Sequence, residues 1–363
     1  MCHSRFIAFA AVLLFILPLF GTERADVKIE PTTFLHPDEF LKGEGFGVLA
    51  DRRIFAAMAF LNCVGYDEEY QGMRMVPTRV KVRERLQKNL LVFPEKLAAW
   101  KKYYSELHLK EHTIVHFALS MNTDYPFRRI RPRNELWYPN IGDQLAVFPA
   151  ILNDFWATAR LGEVWEEVKP DYFKEISKYD FKRMSGDMAS LWGYLRLKRE
   201  DNHMIVSVPN LLCRHYTSTG SRFDMYYYSI DGPGSNDYSL NTHEYLHPTT
   251  QLLLREIPKQ LWKKLLPYYE EGKGKPAAES YGTPLGFVDE CLVHALDARI
   301  TIRIKKDDSY TRSAEQQVSE LTRDGLLLTG PFFHLLKDYE ASDLNFRQYL
   351  PILLEELPDF PGK

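Results

Sequence analysis

The sequence has few cysteines, no strong excess of one charge and few long hydrophobic runs. Four cysteines among 363 residues are too few for a disulfide scaffold, so the fold must rest on burial of apolar side chains. The 46 Lys and Arg residues nearly balance the 49 Asp and Glu residues, and the formal charge of -3 gives no overall attraction to nucleic acid or anionic membrane. With 45% hydrophobic and 26% charged residues, the composition is typical of a globular protein with one large or two ordinary domains.

One long apolar run is present, from Phe6 to Phe20. A membrane-spanning helix needs about 20 apolar residues, and this run is stopped by Pro18, Gly21 and the charged Glu23-Arg24 pair. We therefore predict a signal peptide over residues 1–25, with an uncleaved membrane anchor as the alternative. Both forms export the rest of the chain. A cleaved signal predicts a secreted or periplasmic protein with no membrane span in the mature chain, and an uncleaved one predicts a membrane-anchored protein.

Loss of the signal peptide would remove Cys2 and leave Cys63, Cys213 and Cys291. This is an odd number, so at least one thiol is expected to be free or intermolecular. Whether Cys63 and Cys213 pair is left open.

The rest of the chain mixes helix and strand patterns without a regular βαβ rhythm, which favours an α+β fold over a doubly wound sheet. Helices are predicted over Val80–Leu107, Gln144–Trp165 and Tyr172–Leu197, and strands over Thr113–Leu119, Met204–Cys213 and Arg222–Ile230. We divide the chain into a mainly helical N-terminal region, residues 26–200, and a C-terminal region, residues 201–363, which contains the histidine motif described below.

Two basic clusters lie in the helical region, Arg74–Lys88 and Arg128–Arg133. Charge runs of this kind are usually solvated faces, and no nucleic-acid-binding motif accompanies them. We predict no nucleic-acid partner, and the sequence gives no signal for an oligomeric state.

The segment Thr242–Pro248 contains the pattern H-E-x-x-H. On a helix, residues four apart share a face, so His243 and His247 can both reach one metal ion. Glu244 is rotated away from that pair and could take a proton from a water molecule that the metal activates. With 11 histidines in the chain a chance match is not negligible, and the alternative is a solvated polar stripe on an amphipathic helix.

A second helix, predicted within Leu285–Arg299, carries Glu290, His294 and Asp297 at i, i+4 and i+7. Glu290 would complete a His, His, Glu ligand set, with the three side chains reaching a common point at about 2.0–2.2 Å. The alternatives are an exposed face with i,i+4 pairs, and Asp289 in place of Glu290 as the ligand.

In these residues the sequence resembles the gluzincin clan of zinc metallopeptidases, in which a glutamate on a second helix follows the H-E-x-x-H helix. The resemblance rests on His243, Glu244, His247 and Glu290. It implies a zincin-like core, a Zn²⁺ cofactor, a peptide or protein substrate, and Glu244 as the catalytic base. The layout also looks like that of exported proteins of unassigned function predicted to be zinc proteases. The alternatives are an inactive zincin-like binding module and a zinc hydrolase of a non-peptide amide.

The sequence departs from the clan pattern at two positions. Pro248 directly follows His247 and would cost about 3 kcal/mol inside a straight helix, so we expect a kink there or a new helical segment that starts at Pro248. Many gluzincins carry an aspartate one turn after the ligating glutamate. Here that position is His294, so Asp297 could support a histidine instead, or His294 could face substrate.

A peptidase also needs a group that stabilises the oxyanion. The candidates near the motifs are Tyr281, His294, Arg299 and His215. Arg222–Ile230 is the candidate edge strand for an extended substrate, and its tyrosines are interpreted as ordinary strand aromatics.

Overall fold

The computed structural model describes residues 40–42, 46–66, 76–130, 141–197, 204–215, 218–223, 226–234 and 238–360. They belong to one compact unit, Thr32–Lys363, which combines many helices with a five-stranded sheet. The fold class is therefore α+β, as predicted. The signal peptide predicted for residues 1–25 lies outside the described residues.

Helices occupy most of the described chain. They are α1 (Arg52–Val64), α2 (Pro77–Leu90), α3 (Pro94–Leu107), α4 (Glu111–Ala118), α5 (Ile141–Gln144), α6 (Phe148–Thr158), α7 (Leu161–Ile176), α8 (Phe181–Leu195), α9 (Tyr238–Glu256), α10 (Lys259–Gly272), α11 (Pro284–Lys305), α12 (Asp308–Arg323), α13 (Thr329–Ala341) and α14 (Phe346–Glu356). None of the helices in the described ranges has both the length and the apolar character that crossing a bilayer requires.

The strands are β1 (Phe40–Lys42), β2 (Phe46–Leu49), β3 (Met204–Pro209), β4 (Ser218–Phe223) and β5 (Tyr226–Asp231). Their order in the sheet is β1-β2-β3-β5-β4. The three central strands are parallel, while β1 and β4 run antiparallel to their neighbours. Strands from residues 26–200 and from residues 201–363 thus share one sheet.

Helices contact both faces of the sheet. Successive strand residues point to opposite faces, so Tyr227 and Tyr228 of β5 separate. Tyr227 reaches Glu244 of α9, whereas Tyr228 interacts with Arg53 of α1. Helix α9, which carries the H-E-x-x-H segment, therefore lies on the Tyr227 face of the sheet.

Helix α1 was not predicted, because it shows no amphipathic period. Every side chain from Arg53 to Asn62 is buried. The helix starts at Asp51, whose carboxylate accepts hydrogen bonds from the backbone amides of Arg53 and Ile54. The same carboxylate pairs with the Arg53 guanidinium, so the buried charge is compensated.

The strand predicted over Thr113–Leu119 is wrong. This segment is helix α4, and its residues from Thr113 to Ala118 are buried. A run of β-branched residues suggested a strand, but packing against α1 decides the conformation of a short apolar segment.

The helices predicted over long segments are each divided in two or more. Val80–Leu107 breaks at residues 91–93, where Pro94 starts α3. Gln144–Trp165 breaks at Arg160, which has a φ of 52°. Tyr172–Leu197 breaks before Asp180, whose side chain caps α8. Apolar spacing continued across each break, so periodicity alone did not reveal it.

Three cysteines lie in the described part of the chain. Cys63 and Cys291 are free thiols there. Burial raises the pKa of the Cys291 thiol to about 12, which suits a core residue rather than a nucleophile.

His116 of α4 provides a pH-sensitive element of the fold. It is buried, and its Nε2 lies 2.9 Å from Thr219 Oγ1 of β4. Burial, with repulsion from His112, lowers the pKa of His116 from 6.5 to about 3. Between these values the unfolded chain binds a proton that the folded chain does not, so stability falls as the pH falls.

We expect His116→Gln to reduce this acid sensitivity. In the wild type, His116 lowers the unfolding free energy by about 1.4 kcal/mol for each pH unit below 6.5. His116→Gln removes this contribution, so its unfolding free energy should fall less steeply with pH. Denaturant unfolding at several pH values, with EDTA in both samples, measures the difference. His334→Gln, at an exposed position of α13, is the control. Equal slopes for wild type and His116→Gln would contradict the prediction.

Candidate metal centre

Helix α9 is anchored by two of the three residues between its histidines. Tyr245 and Leu246 are fully buried, and Tyr245 accepts a hydrogen bond from the Trp192 indole of α8. The side chains of His243 and His247 keep 17% and 16% of their surface exposed. Their rings are 4.9 Å apart between centroids, as expected for positions i and i+4 on one helical face. The helix is thus buried between the histidines, while both imidazole rings remain partly exposed to solvent.

Helix α11 packs along α9 and supplies the acidic side chain. It begins at Thr283, whose hydroxyl accepts a hydrogen bond from the Gly286 amide, with Pro284 in the first turn. Side chains on almost every face of its first half are buried. This excludes the alternative in which Glu290 lies on an exposed charged stripe. Glu290 is only 6% exposed and lies against the histidines of α9.

The Glu290 carboxylate lies between the two histidines of α9. Its Oε1 is 3.5 Å from His243 Nε2, and its Oε2 is 3.5 Å from His247 Nε2. Two ligands at about 2.0–2.1 Å from a tetrahedral metal ion are about 3.4 Å apart, so both separations match a shared metal. The structure therefore brings together the three residues named from the sequence.

His294, one turn beyond Glu290 on α11, joins the same cluster. Its Nε2 lies 3.0 Å from Glu290 Oε1, and its ring centroid is 4.7 Å from that of His243. One ligand atom each from His243, Glu290 and His294 lie within 4.8 Å of one another, so this group could hold a metal ion. His247 is not part of this group, although its Nε2 lies 3.5 Å from Glu290 Oε2.

Asp289 hydrogen-bonds the ring nitrogen of His247 that faces away from Glu290. Its Oδ2 accepts hydrogen bonds from His247 Nδ1 at 2.7 Å and from Gln251 Nε2 at 2.6 Å, and its Oδ1 accepts one from Thr250. A carboxylate at Nδ1 is the usual partner of a metal-ligating histidine, because it fixes the ring and leaves Nε2 for the metal. The alternative in which Asp289 itself is the ligand does not agree with these three bonds.

The charges of the cluster support one another. Burial lowers the pKa of His247, but attraction to Asp289 and its hydrogen bond raise it more, to about 9. Burial raises the pKa of Glu290, yet hydrogen bonds from His243 and His294 and the charge of His247 hold it well below its usual range. A cation is therefore favoured beside Glu290, whether a proton on histidine or a metal ion.

Glu244 lies outside this set of ligands. Its Oε2 accepts a hydrogen bond from the Tyr227 hydroxyl of β5 at 2.9 Å. The side chain is held by the sheet rather than by the other helix. This separates a carboxylate that could move protons from the one that could bind metal.

Pro248 neither ends α9 nor starts a new segment, since the helix is assigned continuously from Tyr238 to Glu256. Proline has no amide hydrogen, so the Glu244 carbonyl loses its usual i+4 donor. Burial of Pro248 and of Thr249 and Thr250 after it offsets that cost through tertiary packing.

Tyr281 and Asp297 also border the cluster. Tyr281 hydrogen-bonds Glu290, and its pKa is raised by burial and by that carboxylate. Burial raises the pKa of Asp297, while nearby His243 and His294 and a hydrogen bond with Thr242 oppose the shift. Both candidates named from the sequence therefore lie at the site.

Two further oxyanion candidates are engaged in other contacts. The Arg299 guanidinium forms a salt bridge with Glu340 of α13 and lies 5.2 Å from the centre of the Phe333 ring. His215 places Nδ1 3.1 Å from the Pro233 carbonyl. These contacts direct both side chains to structural partners.

The edge strand differs from the one predicted. Arg222–Ile230 contains the end of β4 and most of β5, and β5 is an interior strand. Among the described strands, β4 forms the edge beside α9. The sequence pattern predicts an ordinary strand aromatic at Tyr227 and gives no sign of its contact with Glu244. Alternation separates Tyr227 from Tyr226 and Tyr228 but does not tell which face meets α9.

Comparison of the chain with protein-family models, with curated proteins and with solved structures gave no significant match. We therefore infer the function from the geometry of this cluster.

Proposed function

We propose that the chain is an exported zinc-dependent metallopeptidase with a zincin-like core. The observation that carries the proposal is the Glu290 carboxylate of α11, which lies 3.5 Å from Nε2 of both His243 and His247 on α9. The ligands in this proposal are His243, His247 and Glu290. Their nitrogen and carboxylate donors suit Zn²⁺, and three protein ligands leave a fourth position for water or substrate.

A bound Zn²⁺ would supply a Lewis acid that polarises the scissile carbonyl and lowers the pKa of a water molecule. The protein supplies the acid and base groups. Glu244 takes the water proton and passes it to the leaving amine, which requires a carboxylate beside the metal that does not ligate it. Tyr281 and His294 border Glu290 and are the proposed hydrogen-bond donors to the oxyanion.

The substrate is an extended peptide that pairs with the edge strand. Strand β4 bonds to β5 on one side and lies beside α9. Gly220, in the middle of β4, is so near Glu244 that a Cβ atom there would lie 3.0 Å from Oε2. A peptide added along β4 would therefore pass the proposed base with its backbone hydrogen bonds satisfied.

The first experiment measures metal and activity together. The purified mature chain should hold about one zinc per molecule and should hydrolyse an unfolded protein such as reduced, alkylated casein. A zinc chelator should stop hydrolysis, and added Zn²⁺ should restore it. New amino termini, measured by a fluorescent amine reagent, report peptide-bond cleavage directly.

Glu244→Gln prepared in the same way is the matched control, because it excludes a contaminating protease. Bound zinc without peptide hydrolysis in the wild-type chain would contradict the peptidase proposal and favour an inactive binding module or a hydrolase of another amide. Hydrolysis without zinc would contradict the proposed metal.

A further inference from the structure

Tyr227 makes a contact that the zinc site by itself does not require. The side chain is 2% exposed, yet its hydroxyl reaches across from β5 to donate to Glu244 Oε2 at 2.9 Å. Burial and the nearby Glu244 carboxylate raise the pKa of Tyr227 well above its ordinary value, so the hydroxyl keeps its proton. A buried tyrosine thus acts as a permanent hydrogen-bond donor to Glu244.

Gly220 provides the space for this hydrogen bond. A Cβ atom at this position would lie 1.6 Å from the Tyr227 hydroxyl oxygen and 2.3 Å from its ring carbon. Tyr227 pairs with Arg222 of β4, and Gly220 lies two residues before Arg222. Positions two apart on a strand share a face, so positions 220 and 227 are on the same face of the sheet. Any larger residue at position 220 would displace the Tyr227 hydroxyl from Glu244.

We infer that Tyr227 is the positioning residue for Glu244, and that Gly220 is required for this role. The inference rests on the proposed peptidase function. Tyr227 occupies Oε2 and so leaves Oε1 of Glu244 to take the water proton. A carboxylate fixed at one oxygen needs no reorientation in the transition state, which is how preorganised groups raise kcat rather than binding.

The test is Tyr227→Phe, which keeps the ring and removes the hydroxyl. We expect kcat for casein-derived peptides to fall roughly 10-fold to 100-fold, the range for loss of a hydrogen bond to a charged group, with KM and zinc content unchanged. In a Glu244→Gln background the same change should have almost no further effect, because the group that Tyr227 positions is already inactive. Gly220→Ala should lower kcat in the same direction.

Tyr228→Phe is the matched control. It removes a hydroxyl from the next residue of β5, equally buried but on the face toward α1, and should leave kcat unchanged. A merely structural role would lower zinc content or unfolding midpoint and would act equally in the wild-type and Glu244→Gln backgrounds.

Wild-type kcat in Tyr227→Phe, or equal losses in both backgrounds, overturns the inference while the peptidase assignment stands. Absence of hydrolysis in the wild type overturns the proposed function, and the inference with it.

Discussion

Glu244→Gln is expected to lower kcat for peptide hydrolysis by about 100-fold or more while the chain keeps its zinc. General acid–base catalysis contributes on the order of 10²–10⁴-fold, and glutamine cannot accept the water proton. The substitution keeps the shape and can still accept the hydrogen bond from Tyr227 through its amide oxygen. Because Glu244 is not among the proposed ligands, zinc content should remain near one per molecule.

Two measurements on the same sample check this result, initial rates of cleavage and zinc by atomic absorption. Glu279→Gln is the control, since Glu279 is an exposed glutamate outside both helices of the site. It should behave as wild type in both measurements. Normal turnover in Glu244→Gln with normal zinc would show that the H-E-x-x-H pattern has no catalytic meaning here.

The residues on each helix of the cluster could be predicted because helical spacing is a local property of the sequence. His243 and His247 share a face by helical spacing alone, and Glu290, His294 and Asp297 share one by the same rule. The sequence could not give the distance between the halves, which depends on how α9 packs against α11. The 3.5 Å separations are a property of that packing.

Two helices and one side-chain contact could not be predicted from the sequence pattern, because tertiary packing determines them. Helix α1 is buried on all sides, so it lacks the polar face that reveals a helical period. Helix α4 contains β-branched residues that favour strands, and its burial overrides that preference. The link from Tyr227 to Glu244 joins two elements whose facing is set only by the complete fold.

The role of Asp289 shows the same limit within one helix. Consecutive helical residues are about 100° apart, which separates Asp289 from Glu290 but does not assign either to the metal. The assignment comes from His247, Thr250 and Gln251, whose donors occupy the Asp289 oxygens. These partners lie on α9, so helical phase on α11 could not reveal them.

Substitution of the ligands is expected to separate them from their neighbours by zinc affinity. Structural zinc sites in zinc-finger peptides bind Zn²⁺ with about 10–16 kcal/mol, to which all of their ligands contribute, so loss of one ligand here should weaken binding by on the order of 10²–10³-fold or more. Glu290→Ala and His247→Ala should therefore emerge from dialysis without zinc. Asp289→Asn keeps one oxygen for its donors and should weaken affinity only about 10-fold to 100-fold.

His294→Gln is the decisive comparison with His247→Ala, because His294 also lies within ligand distance of Glu290. His247 has Nδ1 fixed by Asp289, which directs Nε2 toward Glu290 Oε2. Such outer support is typical of a metal-ligating histidine, so we propose His247 for the metal and His294 for the substrate side, although the group whose ligand atoms lie within 4.8 Å of one another contains His294 and not His247. We expect His294→Gln to retain zinc but lower kcat. Zinc titration with a competing chromophoric chelator measures each affinity, and zinc lost in His294→Gln but kept in His247→Ala would exchange their roles.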